Sequence, residues 1–245
     1  MIRAFVLFFA LITSAYAEGT LYVLCYHSFQ GRKTDYDVAP EAFEKQMQQV
    51  HDLGFRFVRT EDVLADRVNG AKNVLVSIDD GNKSVEAIYD RVLKKHDIKP
   101  LLFIYPNIIN RSNVPYAMTN DQLNRYLREG ATLGAHGYYH LFLNEKQYNK
   151  DKKGFLKEIY DSRDTLESRF GHRPEVFAYP FGVFSDLARD EIKKAGYKYS
   201  FTIVQGPVLL PLARNADPFK LPRFLVTKTS WKNVLAVLER AVRNR

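Results

Sequence analysis

The sequence has little cysteine and no long apolar run. Its 245 residues include a single cysteine, Cys25, which excludes a small fold held together by several disulfides. The apolar run at positions 4–12 has nine residues, and no other stretch approaches the roughly 20 needed to cross a bilayer. With 46% hydrophobic and 26% charged residues the composition is that of a globular protein, which excludes a disordered chain. No fixed-period repeat and no low-complexity linker divides the sequence, so we expect one domain.

The N-terminus has the pattern of a secretory signal peptide. Arg3 supplies a positive charge, residues 4–12 form an apolar core, and residues 15–17 (AYA) fit a small-residue cleavage site. The alternative is a buried N-terminal strand or helix. We predict a signal peptide over 1–17 and a domain over 18–245, exported to the periplasm or secreted, without stable membrane insertion after cleavage. Cys25 is expected to be a buried strand thiol.

The chain is basic, with a formal charge of +8 and a pI near 9.4. Such a charge suits a nucleic-acid partner, an anionic cell envelope or simply solubility. Lysine and arginine are spread along the chain and are not clustered with aromatic motifs, so we expect no nucleic-acid partner.

Strand-like and helix-like segments alternate along the chain. Apolar strand candidates are followed by segments whose apolar residues have helical spacing. The strand candidates are 21–27, 55–58, 74–78, 101–105, 131–135, 176–179, 199–203 and 221–226. The helix candidates are 40–53, 61–68, 84–96, 120–129, 154–170, 185–195 and 231–242. Residues 206–218, with three prolines, are expected to be a loop. This alternation predicts an α/β fold with a parallel sheet, either open or closed as a barrel. In a barrel the reactive residues lie just after the strands.

Three polar clusters stand at those positions. Residues 77–81 (SIDDG) place two adjacent carboxylates at a strand end, where a cation or a proton relay can use them, although Asp-Gly is also a common turn. Residues 136–140 (HGYYH) place two histidines four residues apart, within reach of one ion. Residues 179–182 (YPFG) follow another strand.

Taken together, the clusters predict metal-assisted hydrolysis. One carboxylate and two histidines are the three protein ligands typical of a catalytic zinc site that keeps a position open for water. A second carboxylate beside the ion is then free to act as a general base. We expect a hydrolase that attacks an acyl carbonyl with activated water.

The three motifs resemble those of the polysaccharide deacetylases of carbohydrate esterase family 4, the NodB-homology domain. Residues 77–81 match the [ST]-F-D-D-G motif, 136–140 match H-[ST]-x-x-H, and 179–182 resemble R-x-P-[YF]-G. The resemblance runs over nearly the whole of 18–245. It implies a distorted (β/α)7-type barrel, N-acetylated glycan substrates and a divalent metal cofactor, usually Zn²⁺.

The resemblance also implies a set of site residues. Asp79 would be the general base, and the metal ligands would be Asp80, His136 and His140. The backbone N–H of Phe181 would help to hold the oxyanion. Substrate contacts are assigned to aromatic and neighbouring positions, namely Tyr138, Tyr179, Pro180, Phe181 and Trp231, with Tyr139 and Phe142 as further stacking candidates.

The sequence departs from the family pattern at three positions. Ala178 stands where an arginine is expected, Gly137 replaces the Ser/Thr after the first ligand histidine, and no histidine follows His172 to serve as general acid. Tyr26-His27 resembles the exopolysaccharide deacetylase branch, in which the element bearing the late histidine lies early in the chain. His27 is therefore our candidate for the general acid, with a capped strand end as the alternative, and Arg223 is the candidate to replace the missing arginine and orient Asp79.

We expect the substrate to be an N-acetylglucosamine polymer of the cell envelope, with peptidoglycan favoured slightly. Poly-N-acetylglucosamine exopolysaccharide is the rival substrate, suggested by Tyr26-His27. A glycan-binding protein that has lost catalysis is the other alternative, suggested by Gly137 and Ala178 and opposed by the intact aspartates and histidines.

Overall fold

This computed structural model describes residues 18–31 and 34–243 of the chain. The described residues include nine β-strands and eight α-helices. The predicted signal peptide, 1–17, lies outside them. The strands are β1 (Gly19–Tyr26), β2 (Arg56–Phe57), β3 (Gly70–Asp79), β4 (Leu101–Ile104), β5 (Thr132–Ala135), β6 (Val176–Ala178), β7 (Tyr199–Phe201), β8 (Val208–Leu210) and β9 (Phe224–Leu225). The helices are α1 (Pro40–Asp52), α2 (Thr60–Leu64), α3 (Glu86–Ile88), α4 (Asn120–Arg128), α5 (Glu145–Lys150), α6 (Lys152–Phe170), α7 (Asp186–Lys194) and α8 (Trp231–Arg243).

The strands form one curled, mostly parallel sheet. Its order is β7-β6-β5-β4-β3-β1-β8, with β2 added to β3 and β9 added to β1. Only β8 runs antiparallel to its neighbour β1. The segment 221–225 links the two ends of the curl, because Leu221 bridges to Phe201 of β7 while Phe224 pairs with Leu24 of β1. The predicted α/β fold of the distorted (β/α) barrel type is thereby confirmed, with the sheet curled into a half-barrel.

Successive side chains along the strands alternate between two hydrophobic clusters, one on each face of the sheet. Leu21 and Val23 of β1 face a cluster inside the curl together with Leu75, Leu101 and Phe103. The residues between them face outward and pack against the helices in a larger cluster. Hydrophobic residues thus fill both faces of the sheet, as expected for parallel strands covered by helices.

The inward face changes character towards the carboxyl ends of the strands. Continuing every second residue along β1 and β3 leads to Cys25 on one strand and to Ser77 and Asp79 on the other, all buried. Arg223, fully buried, is two residues beyond the inward-facing Leu221. The apolar interior therefore ends in a polar layer at the end of the barrel where the sequence predicts the site.

Capping signals in the sequence set several helix ends. Pro40 begins α1, and the Ser185 hydroxyl caps α7 by accepting a hydrogen bond from the Ala188 N–H at 3.1 Å. Gly171, with φ of 68°, ends α6 in the left-handed conformation that glycine adopts without strain. None of the described helices has the length and apolar character needed to cross a membrane.

Three segments differ from the sequence-based prediction. The single helix expected over 84–96 is a 3₁₀ turn (Lys83–Val85), a short α3 and a π-helical turn (Tyr89–Leu93). The loop expected over 206–218 contains β8, whose pairing with the start of β1 is a tertiary contact that local sequence does not announce. Helix α5 was also missed, because its six residues include none that is buried.

Candidate active site and metal centre

The end of β3 directs two adjacent carboxylates into one cleft. Asp79 is the last residue of the strand and is 2% exposed. Neighbouring side chains of a strand point to opposite faces, but Asp80 has a φ of 74° and Gly81 a φ of 67°. This left-handed turn allows both aspartates to line the same cleft of about 390 Å³. A positive φ at a non-glycine residue is uncommon and is found at functional sites.

Arg223 holds Asp79 in a bidentate ion pair. Its two terminal guanidinium nitrogens donate to the two carboxylate oxygens, each at 2.8 Å. The arginine is itself fixed, since its Nε donates to the carbonyl of Thr202 at 3.0 Å and its charge lies 5.0 Å from the Phe103 ring centre. Arg223 thus occupies the place predicted for the missing arginine, although it lies 144 residues from Asp79 in the chain.

This pair sets the charge state of Asp79. Burial pushes the pKa of the carboxyl up, but Arg223 and the neighbouring histidines outweigh burial and leave it below its ordinary value. Cys25 completes the surroundings, with its Sγ 3.5 Å from Oδ2 of Asp79. The buried strand thiol expected from the sequence is confirmed; its contact with Asp79 was not foreseen. The available signal was its position near the end of β1, two residues before His27.

Asp80, His136 and His140 form a separate cluster. Oδ1 of Asp80 lies 3.5 Å from Nε2 of His136 and 3.3 Å from Nε2 of His140, and the two Nε2 atoms are 3.2 Å apart. Nδ1 of His136 lies 2.8 Å from the carbonyl of Ala178, so Nδ1 carries a proton, and the deprotonated Nε2 of a neutral ring would present its lone pair to an ion. Burial opposes a charge on His136, but Asp79 and Asp80 outweigh it and raise the pKa of this ring. Burial and the positive charge of His136 lower the pKa of His140 to about 4, so the His140 ring is neutral at neutral pH.

The donor set fits a divalent cation. Three lone-pair-bearing atoms converge, and Oδ1 of Asp80 is buried without a hydrogen-bond partner among the described residues. Converging acceptors repel one another unless a cation lies among them, and a carboxylate with two imidazoles suits Zn²⁺ or a similar ion. The Ala178 carbonyl that fixes His136 is the kind of outer contact that orients a metal-bound histidine.

His27 lines the same cleft. Cys25, His27 and Asp79 each place a donor atom within 4.8 Å of the other two, and Nδ1 of His27 is buried without a hydrogen-bond partner in the described chain. The His27 ring lies 5.2 Å from the ring of Tyr36. The residue predicted from the early Tyr26-His27 pair therefore lies beside the aspartates, directly after β1, the strand that neighbours β3.

The segment after β6 contributes Phe181 to the edge of the cleft. Phe181 has a φ of 59°, and its ring is 49% exposed. That ring lies 4.4 Å from the His140 ring and stacks on Phe142 at 4.2 Å. Tyr179 also borders the cleft, but it is buried and donates its hydroxyl to the carbonyl of Phe219 at 2.9 Å. Pro180 is buried within the turn.

Tyr138 and Trp231 are not among the residues that line the cleft, and their assignment to substrate contacts stays a prediction. Tyr138 packs against Tyr139 with ring centres 4.6 Å apart, and Nζ of Lys157 lies 4.3 Å above its ring. Trp231 begins α8 and donates its indole N–H to the Gln49 side chain of α1 at 2.9 Å. Both aromatics are held by helices outside the barrel, which hydrophobicity and motif position did not reveal.

Comparison with known proteins agrees with this geometry. The model of the family described as "Polysaccharide deacetylase" matches residues 66–200, more than half of the chain. The fold and the site define a hydrolase that deacetylates glycans, and the chain belongs to the polysaccharide deacetylase family, as the three motifs predict.

Curated and solved relatives are similar at low identity. A poly-β-1,6-N-acetyl-D-glucosamine N-deacetylase of Staphylococcus aureus (strain MSSA476) is 22% identical over 211 residues, covering 82% of this chain and 71% of the relative. The structure of IcaB from Ammonifex degensii superposes with a TM-score of 0.77 at 26% identity, covering 90% of this chain and 97% of that one. The Streptococcus pyogenes deacetylase PplD in complex with acetate has the same fold, with a TM-score of 0.75 at 22% identity and coverages of 90% and 98%.

Proposed function

We propose that this protein is a metal-dependent N-deacetylase of poly-N-acetylglucosamine. The observation that carries the proposal is the division of one cleft between an arginine-paired Asp79 and the converging donor atoms of Asp80, His136 and His140. One carboxylate has its charge balanced by the protein, and the other lies among donors that need a cation.

The cation would be held by Asp80, His136 and His140, with Zn²⁺ as our proposal for its identity. A divalent ion in such a site lowers the pKa of water and polarises a carbonyl oxygen. The remaining roles belong to the side chains. Asp79, ionised because of Arg223, is placed to accept a proton from the attacking water.

His27 is placed to complete the proton transfers. It lines the cleft beside Asp79, and its Nδ1 has no hydrogen-bond partner among the described residues. We assign it the donation of a proton to the departing glucosamine nitrogen. The backbone N–H of Phe181, in the turn that follows β6, is assigned to the oxyanion. The products are acetate and a free amine.

The rim of the cleft supports a sugar polymer as substrate. Large exposed hydrophobic side chains in the described chain are concentrated in the loops that follow the barrel strands, at Tyr36, Tyr116, Tyr139, Phe142, Phe181 and Val204. Aromatic rings with an apolar face and, in tyrosine, a polar edge suit sugar rings. Tyr36, Tyr116 and Phe181 line the cleft itself.

The choice of polymer is based on the relatives. The curated Staphylococcus relatives are named as poly-β-1,6-N-acetyl-D-glucosamine N-deacetylases, and the Tyr26-His27 pair points to the same branch. These observations favour that exopolysaccharide over peptidoglycan, which the sequence alone slightly favoured. Export directed by residues 1–17, with 18–245 as the catalytic domain, would bring the enzyme to such a polymer.

The test is acetate release from three substrates: β-1,6-linked N-acetylglucosamine oligomers, peptidoglycan fragments and chitin oligomers. We expect metal-stimulated release that is fastest from the β-1,6-linked oligomers, and loss of that release in Asp79→Asn. Faster release from peptidoglycan fragments would overturn the substrate assignment. If wild-type protein loaded with metal releases no acetate from any of the three, the chain is instead a glycan-binding protein.

A further inference from the structure

Glu158 is a buried carboxylate outside the catalytic cleft. It lies in the middle of α6, with none of its surface exposed. Its Oε1 accepts a hydrogen bond from the backbone N–H of Tyr139 at 2.8 Å, and its Oε2 accepts from those of Tyr138 and Leu141, each at 3.0 Å. A single side chain thereby accepts hydrogen bonds from three backbone amides of one loop.

That loop carries the second histidine of the candidate metal cluster. His136 directly follows β5, and His140 comes four residues later with a φ of 66°. Residues in the left-handed region need surrounding contacts to keep them there. The hydrogen bonds to Glu158 lie on both sides of His140, at Tyr139 and at Leu141. They therefore fix the backbone from which the His140 ring reaches towards Asp80.

Gly137 makes room for this carboxylate. Its φ is 77°, and a Cβ built on it would overlap with Oε2 of Glu158 and lie 3.2 Å from the Pro180 ring. No side chain fits in this space while Glu158 holds the loop. Gly137, which replaces the Ser/Thr of the family motif, therefore lies beside the carboxylate that α6 supplies as a hydrogen-bond acceptor.

We propose that Glu158 and Gly137 act together as a positioning device for the metal-binding loop. Glu158 is a positioning residue: it acts through His140 and touches neither substrate nor metal. The inference rests on the metal cluster of the proposed function and extends it to two residues outside that cluster. Outer contacts that orient metal ligands typically contribute 10- to 100-fold to metal affinity.

The first test measures metal affinity directly. Zn²⁺ binding to metal-free wild-type and Glu158→Gln proteins is followed by competition with a coloured chelator, and folding is checked by circular dichroism. We expect about 10- to 100-fold weaker binding in Glu158→Gln, and an altered visible spectrum when Co²⁺ replaces Zn²⁺. Asp161→Asn, an exposed charge loss three residues further along α6, is the matched control and is expected to bind like wild type. Equal affinity in wild type and Glu158→Gln would overturn the proposal.

The second test is a double-mutant cycle between Gly137→Ala and Glu158→Ala. In the wild-type background the new methyl group meets Oε2, so Gly137→Ala is expected to weaken Zn²⁺ binding at least 10-fold. In the Glu158→Ala background that clash is gone, and the same substitution is expected to cost less, leaving only backbone strain and the Pro180 contact. Additive effects would contradict the coupling. Because both tests use metal binding alone, absence of Zn²⁺ binding to wild type would instead contradict the proposed metal site.

Discussion

Asp79 and Asp80 are neighbours in sequence, yet the protein surrounds them in opposite ways. Both oxygens of Asp79 receive guanidinium hydrogen bonds at 2.8 Å, whereas Oδ1 of Asp80 faces two imidazole nitrogens at 3.3 and 3.5 Å without a hydrogen bond. The first carboxylate is balanced by a cation that belongs to the protein. The second lies among donor atoms that would suit a bound cation. We propose that the same residue type serves proton transfer at one position and metal binding at the next.

The largest expected effect comes from the same isosteric change at the two positions. Asp80→Asn removes a charged ligand, and we expect loss of the bound metal together with loss of acetate release to background. Asp79→Asn is expected to retain the metal while its kcat falls by about 10²- to 10⁴-fold, the usual range for removal of a general base. Metal content after dialysis, measured beside acetate release, checks both. The opposite result, loss of the metal in Asp79→Asn and retention of the metal in Asp80→Asn, would contradict this division of roles.

An intermediate effect is expected from Arg223→Gln, which leaves Asp79 buried without its cation. Breaking a buried ion pair from one side costs about 3–5 kcal/mol of unfolding free energy. The paired wild-type Asp79 has a lowered pKa, so its contribution to stability is present at neutral pH and lost as the pH falls through that pKa. The destabilisation in Arg223→Gln should therefore be largest near neutral pH and shrink in acid, where a protonated Asp79 needs no cation.

Urea unfolding of metal-free wild-type and Arg223→Gln proteins across this pH range measures the difference. The surface ion pair of Arg67 with Asp62, 2.7 Å apart, supplies a control, and Arg67→Gln is expected to change stability by about 1 kcal/mol or less. A pH-independent loss in Arg223→Gln would show that the arginine contributes packing and not charge.

The smallest effect is expected from Phe142→Ala, which touches neither aspartate. Removing its stacking partnership with Phe181 should raise KM for the glycan about 2- to 10-fold, as the 0.5–1.5 kcal/mol of an aromatic pair predicts. Metal affinity and the pH profile should not change. Leu209→Ala, an exposed apolar residue on β8 away from the cleft, is the matched control. An unchanged KM in Phe142→Ala would show that this aromatic pair on the rim does not contribute to substrate binding.

Local sequence patterns were sufficient for the elements and for the two main motifs. The period of apolar residues indicates strands and helices, and placing SIDDG and HGYYH directly after strands predicts that they meet at one end of a parallel barrel. Prediction was poorer where a segment depends on distant partners. Strand β8 exists through its pairing with the start of β1, and the indole N–H of Trp231 donates to Gln49 of α1, 182 residues away in the chain.

The sequence by itself determined the fold class, the family and the pair of aspartates with their two histidines, because strand alternation and short motif spacing are local properties. Only the tertiary structure decided which aspartate receives a protein cation. Arg223 reaches Asp79 because the 221–225 segment pairs with β1 beside β3. Glu158 reaches the His136–His140 loop because α6 packs against that loop. Both contacts join residues far apart in the chain, and a buried charge is stable only where its partner arrives with the right geometry.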